Sequence, residues 1–178
     1  MYRYVSFAEL YDLELGTHSL LKWGKHILKD SSTRFKHDVN QKYIFWFTED
    51  PECHLWQYKW HYPVVCVDKR YALGEGVATY EQTDLVSGEY TESHHPEAYT
   101  ASIPSDYTLG NLQEVLPSLE EEIEKQLEIV NAKDPYNYVF LTEDKLRIHE
   151  ESDFITPVDT SYLEWLLALK RKVVSRSG

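Results

Sequence analysis

The sequence predicts an α+β domain: a β-sheet core wrapped by helices and followed by a helical annex. Three features of the chain lead there. Residues 42–68, KYIFWFTEDPECHLWQYKWHYPVVCVD, read as strand, helix and strand in quick succession. Short β-prone runs separated by turn residues recur on either side. The last third then changes period, with apolar residues at helical spacing. That change places a boundary at residue 110, with a core over 1–110 and an annex over 111–178.

Tyr2-Arg3-Tyr4-Val5-Ser6 alternates and favours a first strand. Ser6 stands three residues before Glu9 as a capping box. Phe7, Leu10, Tyr11 and Leu13 line one face of a helix that Gly16 ends. Residues 17–40 form a basic, hydroxyl-rich connection carrying His18, His26 and His37, with a short helix near 20–28. Tyr43-Ile44-Phe45-Trp46-Phe47 is an unbroken aromatic and β-branched run, suited to a strand buried on both faces. Thr48-Glu49-Asp50-Pro51 stops it and opens an aromatic helix over 52–59. A hydroxyl caps, acids suit the positive helix end, and proline is tolerated in a first turn.

Pro63 introduces a second apolar strand, Val64-Val65-Cys66-Val67. Gly74, Gly76 and Gly88 punctuate residues 71–101, predicting a hairpin with exposed loops that is closed by Ile103-Pro104 and residues 107–109. Leu112, Val115, Leu116, Leu119, Ile123, Leu127 and Val130 make an amphipathic helix with an acidic outer face at Glu120, Glu121, Glu122 and Glu124. Pro135 ends it. Tyr138-Val139-Phe140-Leu141 is a short strand or packed turn. Ser161 with Glu164 caps a last helix whose basic tail suits its negative end.

Hydrophobic residues at 42%, with 14% aromatics, are enough to build a core. The formal net charge of −12 argues against general nucleic-acid affinity, which needs clustered Lys and Arg. No stretch reaches the roughly 18 apolar residues of a membrane span. No signal peptide is read before Tyr2, so a cytoplasmic protein with no membrane partner is expected. Cys53 and Cys66 lack metal-type spacing and read as reduced core thiols.

Four constellations bear on function. His94-His95 with Glu92 and Glu97 offers metal-ligand types, but adjacent histidines on an extended chain point to opposite faces, so an exposed loop without metal is expected. Cys53-His54 reads as a core thiol, because sequence neighbours rarely reach nucleophile–base geometry. Among Trp46, Trp56, Tyr58, Trp60 and Tyr62, most serve packing, and those from Trp56 to Tyr62 are placed to stack on a flat ring. The fourth set is long-range: Arg3 on the first strand, Thr48 at the end of the central strand, and Glu97 before an apolar closing segment.

In that order the chain resembles the ADP-ribosyltransferase-like superfamily of the arginine, serine/threonine, glutamate type. The matching phrases are Tyr2-Arg3-Tyr4-Val5-Ser6 with the helix after it, Phe45-Trp46-Phe47-Thr48-Glu49-Asp50-Pro51-Glu52 leading to Pro63-Val64-Val65-Cys66-Val67-Asp68, and Pro96-Glu97-Ala98-Tyr99 leading to Ile103-Pro104-Ser105. The resemblance covers residues 2–110. Tyr4 stands where glycine often follows the arginine, and no Glu-x-Glu or Gln-x-Glu pair precedes the glutamate.

The resemblance implies a split β-sheet and the use of NAD as substrate, without metal. It implies Glu97 as the catalytic carboxylate, with Glu92 and Glu89 as alternatives. Arg3 would bind the pyrophosphate, Thr48 would orient its neighbours, and an aromatic such as Trp56 or Tyr62 would cover nicotinamide. A carboxylate beside ribose suits the chemistry, since breaking the nicotinamide–ribose bond builds positive charge on the sugar. Three readings stand side by side: an ADP-ribosyltransferase acting on a protein or small-molecule acceptor, as the resemblance implies; an acidic, non-catalytic interaction or immunity-type protein whose −12 charge meets a basic partner; or a structural domain whose aromatics are all core.

Overall fold

Ser6 turns the chain from its first strand into its first helix. Its Oγ accepts the Glu9 N–H at 3.1 Å, capping α1 (Phe7–Leu15) directly after β1 (Tyr2–Tyr4). Gly16 closes α1 in the left-handed region at φ 75°, where a side chain would be strained. The remaining elements are α2 (Leu20–Trp23), β2 (Lys25–His26), β3 (Thr33–Phe35), β4 (Tyr43–Thr48), β5 (Val64–Cys66), β6 (Gly74–Thr83), β7 (Tyr90–Thr100), β8 (Thr108–Leu109), α3 (Leu116–Lys133), β9 (Asn137–Thr142), β10 (Lys145–Glu150) and α4 (Ser161–Ser177). The structure, a computed structural model, describes residues 1–26, 33–35, 43–50, 60–133, 137–143, 145–150 and 159–177.

The architecture is α+β. Eight of the described strands form one antiparallel sheet in the order β3–β6–β7–β4–β1–β5–β8, and β2 also pairs with β4. β9 and β10 form a separate hairpin. The apolar run becomes β4, near the middle of the sheet, with β7 on one side. Its other side is shared: β1 joins it at Tyr2↔Thr48, and β2 joins it at Lys25↔Ile44 and His26↔Tyr43. Between these two attachments a side chain, not a strand, reaches the β4 edge.

Alternation along β4 and β5 sends Phe45, Phe47 and Val65 to one face, where they meet Phe7 and Leu10 of α1. Leu119 and Ile123 of α3 and Leu163, Leu166 and Val173 of α4 belong to the same buried cluster, so the C-terminal helices share the core of the sheet. Each large side chain so buried contributes about 1.5–3 kcal/mol.

The structure differs from the sequence reading at several elements. Residues 71–101 form a long two-stranded ribbon, β6 and β7, whose ladder runs from Gly74↔Tyr99 to Thr83↔Tyr90. Glu97 is therefore a strand residue and not part of an exposed loop. α3 begins at Leu116, after a turn that already buries Val115. The alternating segment from Lys145 is a strand, which the sequence reading missed. Asp159 Oδ1 accepts the Ser161 N–H at 3.0 Å, so α4 is capped from further upstream than expected. The short helix near 20–28 is confined to α2, and β2 follows it. The expected helix over 52–59, with Cys53 and Trp56, lies outside the described residues. No described helix is long and apolar enough to cross a membrane.

Candidate functional site

Cross-strand register brings three of the sequence-predicted strands together. Tyr2 faces Thr48 across β1 and β4, and Thr48 faces Glu97 across β4 and β7. Residues in one such row leave the same face of a sheet, so the Thr48 hydroxyl and the Glu97 carboxylate start side by side. Both residues are buried, at 0% and 1% exposure. A buried carboxylate is rare enough to mark a position with a specific electrostatic surrounding.

Thr48 locks the end of its strand. Its Oγ1 accepts the Asp50 N–H at 3.1 Å and donates to the Asp50 carbonyl at 3.0 Å. The Glu49 N–H donates to the Pro96 carbonyl, so the end of β4 stays tied to β7 beside Glu97. Lys69 Nζ bridges Glu49 and Glu75 nearby, and these two carboxylates hold its pKa above the ordinary lysine range.

Arg3 occupies the opening between β1 and β2. Its Nη1 donates to the Trp46 carbonyl at 3.3 Å and its Nη2 to the Trp23 carbonyl at 3.1 Å. The guanidinium carbon lies 5.4 Å from the Phe45 ring centre and 6.0 Å from that of Trp46. Consecutive residues on β4 point to opposite faces, so the guanidinium sits in the sheet's own layer, at the split. Glu9 grips it from α1, with Nε to Oε2 at 3.0 Å and Nη2 to Oε1 at 3.1 Å. This is the bidentate geometry in which arginine pairs best with carboxylates. Burial pushes the Glu9 pKa up, but His18 and Arg3 together outweigh it and hold the carboxyl below its ordinary range.

Lys25 links the two halves of this region. Its Nζ lies 5.4 Å from the Trp46 ring centre, on the face that also carries Thr48 and Glu97. Burial lowers the Lys25 pKa below the lysine range; the negative charge of Glu97 opposes that shift, and the positive charge of Arg3 adds to it. Lys25 thus feels both predicted charges. Sequence reasoning missed it because residues 17–40 show no clear period. Glu9 was also missed as a partner of Arg3, having been assigned only to the cap of α1.

The other predicted residues lie elsewhere. Tyr62 is exposed and precedes β5, whereas Cys66 at the far end of β5 is the residue in register with Tyr2. Four residue steps of extended backbone, about 13 Å, separate those positions. Tyr62 instead borders an open groove with Ser6, Ser118 and Tyr162. Trp56 lies outside the described residues. Glu89 and Glu92 are exposed on the outer half of the ribbon, and Glu92 Oε1 lies 3.1 Å from His94 Nε2. His94 also meets the Thr79 hydroxyl, while His95 meets Ser93, so the adjacent histidines diverge as expected for a strand. No group of three or more metal-ligating side chains occurs among the described residues.

The arrangement offers a buried carboxylate, a hydroxyl and a lysine on one face, with a guanidinium in the adjoining split. Charge on so buried a carboxylate acts strongly on the groups beside it, Lys25 among them. No family model, curated protein or solved structure matched the chain.

Proposed function

We propose that the chain is an ADP-ribosyltransferase-like protein with the split-sheet fold of that superfamily, and that it transfers ADP-ribose from NAD to a protein or small-molecule acceptor. The observation that supports this reading is the strand order. The glutamate, threonine and arginine strands, β7, β4 and β1, are direct neighbours in that sequence, and the sheet opens at Arg3.

In this reading the bond between ribose C1′ and the nicotinamide nitrogen breaks with its electron pair leaving on nicotinamide. Glu97 stabilises the positive charge left on the sugar. The acceptor's nucleophilic atom then bonds to C1′ and gives up its proton to solvent. Arg3 is already charge-matched by Glu9, so it shapes the split and offers a phosphate only its remaining Nη1 hydrogen. Lys25 supplies positive charge on the face of Glu97. The test is nicotinamide release from NAD by the wild type and by Glu97→Gln. Absence of release to water and to a panel of acceptors in the wild type would remove the reading.

A second reading, an acidic interaction protein that meets a basic partner, is favoured by the outer end of the β6–β7 ribbon. Leu85 and Val86 are 99% and 98% exposed there, beside Asp84 and Glu89. Asp84 Oδ1 accepts the N–H groups of Val86 and Ser87, which fixes the turn that presents them. The double substitution Leu85→Ser, Val86→Ser separates the readings. It leaves NAD cleavage untouched in the first and removes partner binding in the second.

A further inference from the structure

A groove of about 600 Å3 lies between the start of α1 and one face of α3, and Glu97 takes no part in its lining. That volume falls within the ~300–1,000 Å3 typical of small-molecule sites. Ser118, Glu121, Glu122 and Lys125 line it at helical spacing, and Tyr62 and Tyr162 bring aromatic rings to its walls. The segment that carries Tyr62 is held to α3. Ser118 Oγ donates to the Trp60 carbonyl at 3.3 Å and lies 3.3 Å from His61 Nδ1.

Glu122 is fixed through one of its two oxygens. Oε1 accepts the Gln126 amide at 2.9 Å and the Tyr162 hydroxyl at 3.3 Å. Burial and the Glu122 carboxylate raise the Tyr162 pKa above the ordinary phenol range, so the phenol keeps its proton and remains a donor. The Tyr162 ring is itself braced, stacked with Trp165 and packed against Tyr11 at 5.2 Å between centres. The other oxygen, Oε2, has no hydrogen-bond or ion-pair partner among the described residues and is open to solvent, on a side chain that lines the groove. A carboxylate already held on one oxygen loses little freedom when a cation binds to the other. Two carboxylates and one lysine in the lining leave an excess of negative charge, and the −12 charge of the whole chain draws cations to its surface.

We propose that this groove binds a small organic amine, a protonated ammonium on an apolar body, whose N–H groups donate to Glu122 Oε2. The apolar body lies against Tyr62, which is 41% exposed. An ammonium is favoured over a neutral donor because a hydrogen bond between charged groups is the stronger kind, and an aromatic face attracts a cation as well. Lys125 does not cancel Glu122: it stands four residues after Glu121, the spacing at which opposite charges on a helix offset each other. The site makes no use of NAD or of Glu97.

The probe is benzylamine, titrated into the whole protein near neutral pH, where its amine is protonated. Benzyl alcohol, of the same size and shape but uncharged, is the comparison. Both are carried to about 10 mM, a generous limit for ligands of eight heavy atoms. Backbone amide shifts report place and affinity together. Benzylamine is expected to bind about fivefold or more tightly than benzyl alcohol and to move the amides of residues 118–125. Glu122→Gln keeps an acceptor for Gln126 and Tyr162 but removes the charge, and should bring the two affinities within about twofold of each other. Glu121→Gln removes the same charge from an exposed position and should leave the preference in place. Ala8→Leu, which narrows the groove from the α1 side, should weaken both ligands together. Equal affinities in the wild type, a preference that survives Glu122→Gln, equal losses from the Glu121 and Glu122 variants, or no benzylamine binding within that range would each overturn the proposal.

Discussion

Thr48 and Glu97 face each other directly across β4 and β7, and neither reaches solvent. The pairing puts a carboxylate where water cannot screen it and leaves its charge felt by Lys25. Charge in such a site acts far more strongly than the same charge on a surface.

That burial shapes the first prediction. Glu97→Gln keeps the shape and removes the charge, so NAD cleavage should fall by about 10² or more. NAD affinity should change little, because the charge is needed as the bond breaks. Since Glu97 is a buried strand residue, each variant also needs a denaturation curve so that loss of activity is not loss of fold. Glu124→Gln, on the exposed face of α3, is the control and should leave turnover unchanged. Equal turnover in Glu97→Gln and wild type would discard Glu97 as the catalytic carboxylate.

The ion pair of Arg3 and Glu9 predicts a stability effect larger than an exposed pair could give. Both side chains are almost fully buried, and removing one partner strands the other charge away from water. Arg3→Ala should cost about 3–5 kcal/mol in urea denaturation. Replacing both, with Arg3→Met and Glu9→Leu, should recover part of that, although the Trp23 and Trp46 carbonyls lose their donor. A cost under about 1 kcal/mol for Arg3→Ala, the range of surface pairs, would contradict the buried geometry.

The same carboxylates set the response to acid. Burial raises the pKa values of Glu9 and Asp12, but their hydrogen bonds and neighbouring cations outweigh it, and both end below their ordinary values. For Asp12 the partners are Lys22 at 2.8 Å, the Trp23 indole N–H at 2.6 Å and the Thr17 hydroxyl at 3.0 Å. A carboxyl that is more acidic when folded contributes stability above its unfolded pKa, near 4, and loses it as pH falls through the folded value. Stability should therefore hold from neutral pH to about 5 and fall below about 4. Glu9→Gln and Asp12→Asn should each flatten that acid limb in denaturation series run from pH 3 to 7. An unchanged limb in both would show that other groups control it.

The elements most legible in the sequence are those whose own residues decide their shape. Ser6 and Gly16 bracket α1 through short-range geometry, and the run from Tyr43 to Phe47 can be buried in few ways other than as an inner strand. The middle of β7 was harder to read. Glu92, His94, Pro96 and Glu97 carry no apolar period, and proline is uncommon inside a ladder, so the segment resembled a loop. Its strand character comes from the β6 partner. The candidate site divides along the same line. The order of Arg3, Thr48 and Glu97 was visible, but Lys25 and Glu9 enter through tertiary contacts that leave no spacing in the chain. Tyr62 was chosen for its ring alone, and the register of β5 carries it away.

Asn111 supports the last prediction, which concerns how β5 is held. Its Oδ1 accepts the Val64 N–H at 2.7 Å, and its Nδ2 donates to the Tyr62 carbonyl at 2.9 Å. One side-chain amide thereby satisfies two backbone groups on either side of Pro63, which has no N–H of its own to offer. Val64 is in register with Tyr4, so the amide anchors the strand that flanks β1. Asn111→Ala leaves the buried Val64 N–H without its acceptor and should cost about 1–3 kcal/mol. Asn111→Asp keeps the acceptor but loses the donor to Tyr62, so at neutral pH it should be costly too. Lowering the pH far enough to protonate the new carboxyl would restore a donor and narrow the gap to wild type. Hydrogen exchange at Val64 is the sharper measurement, because that amide should exchange faster in Asn111→Ala than in Asn111→Asp. The same rate in both variants would mean that something other than Asn111 protects the start of β5.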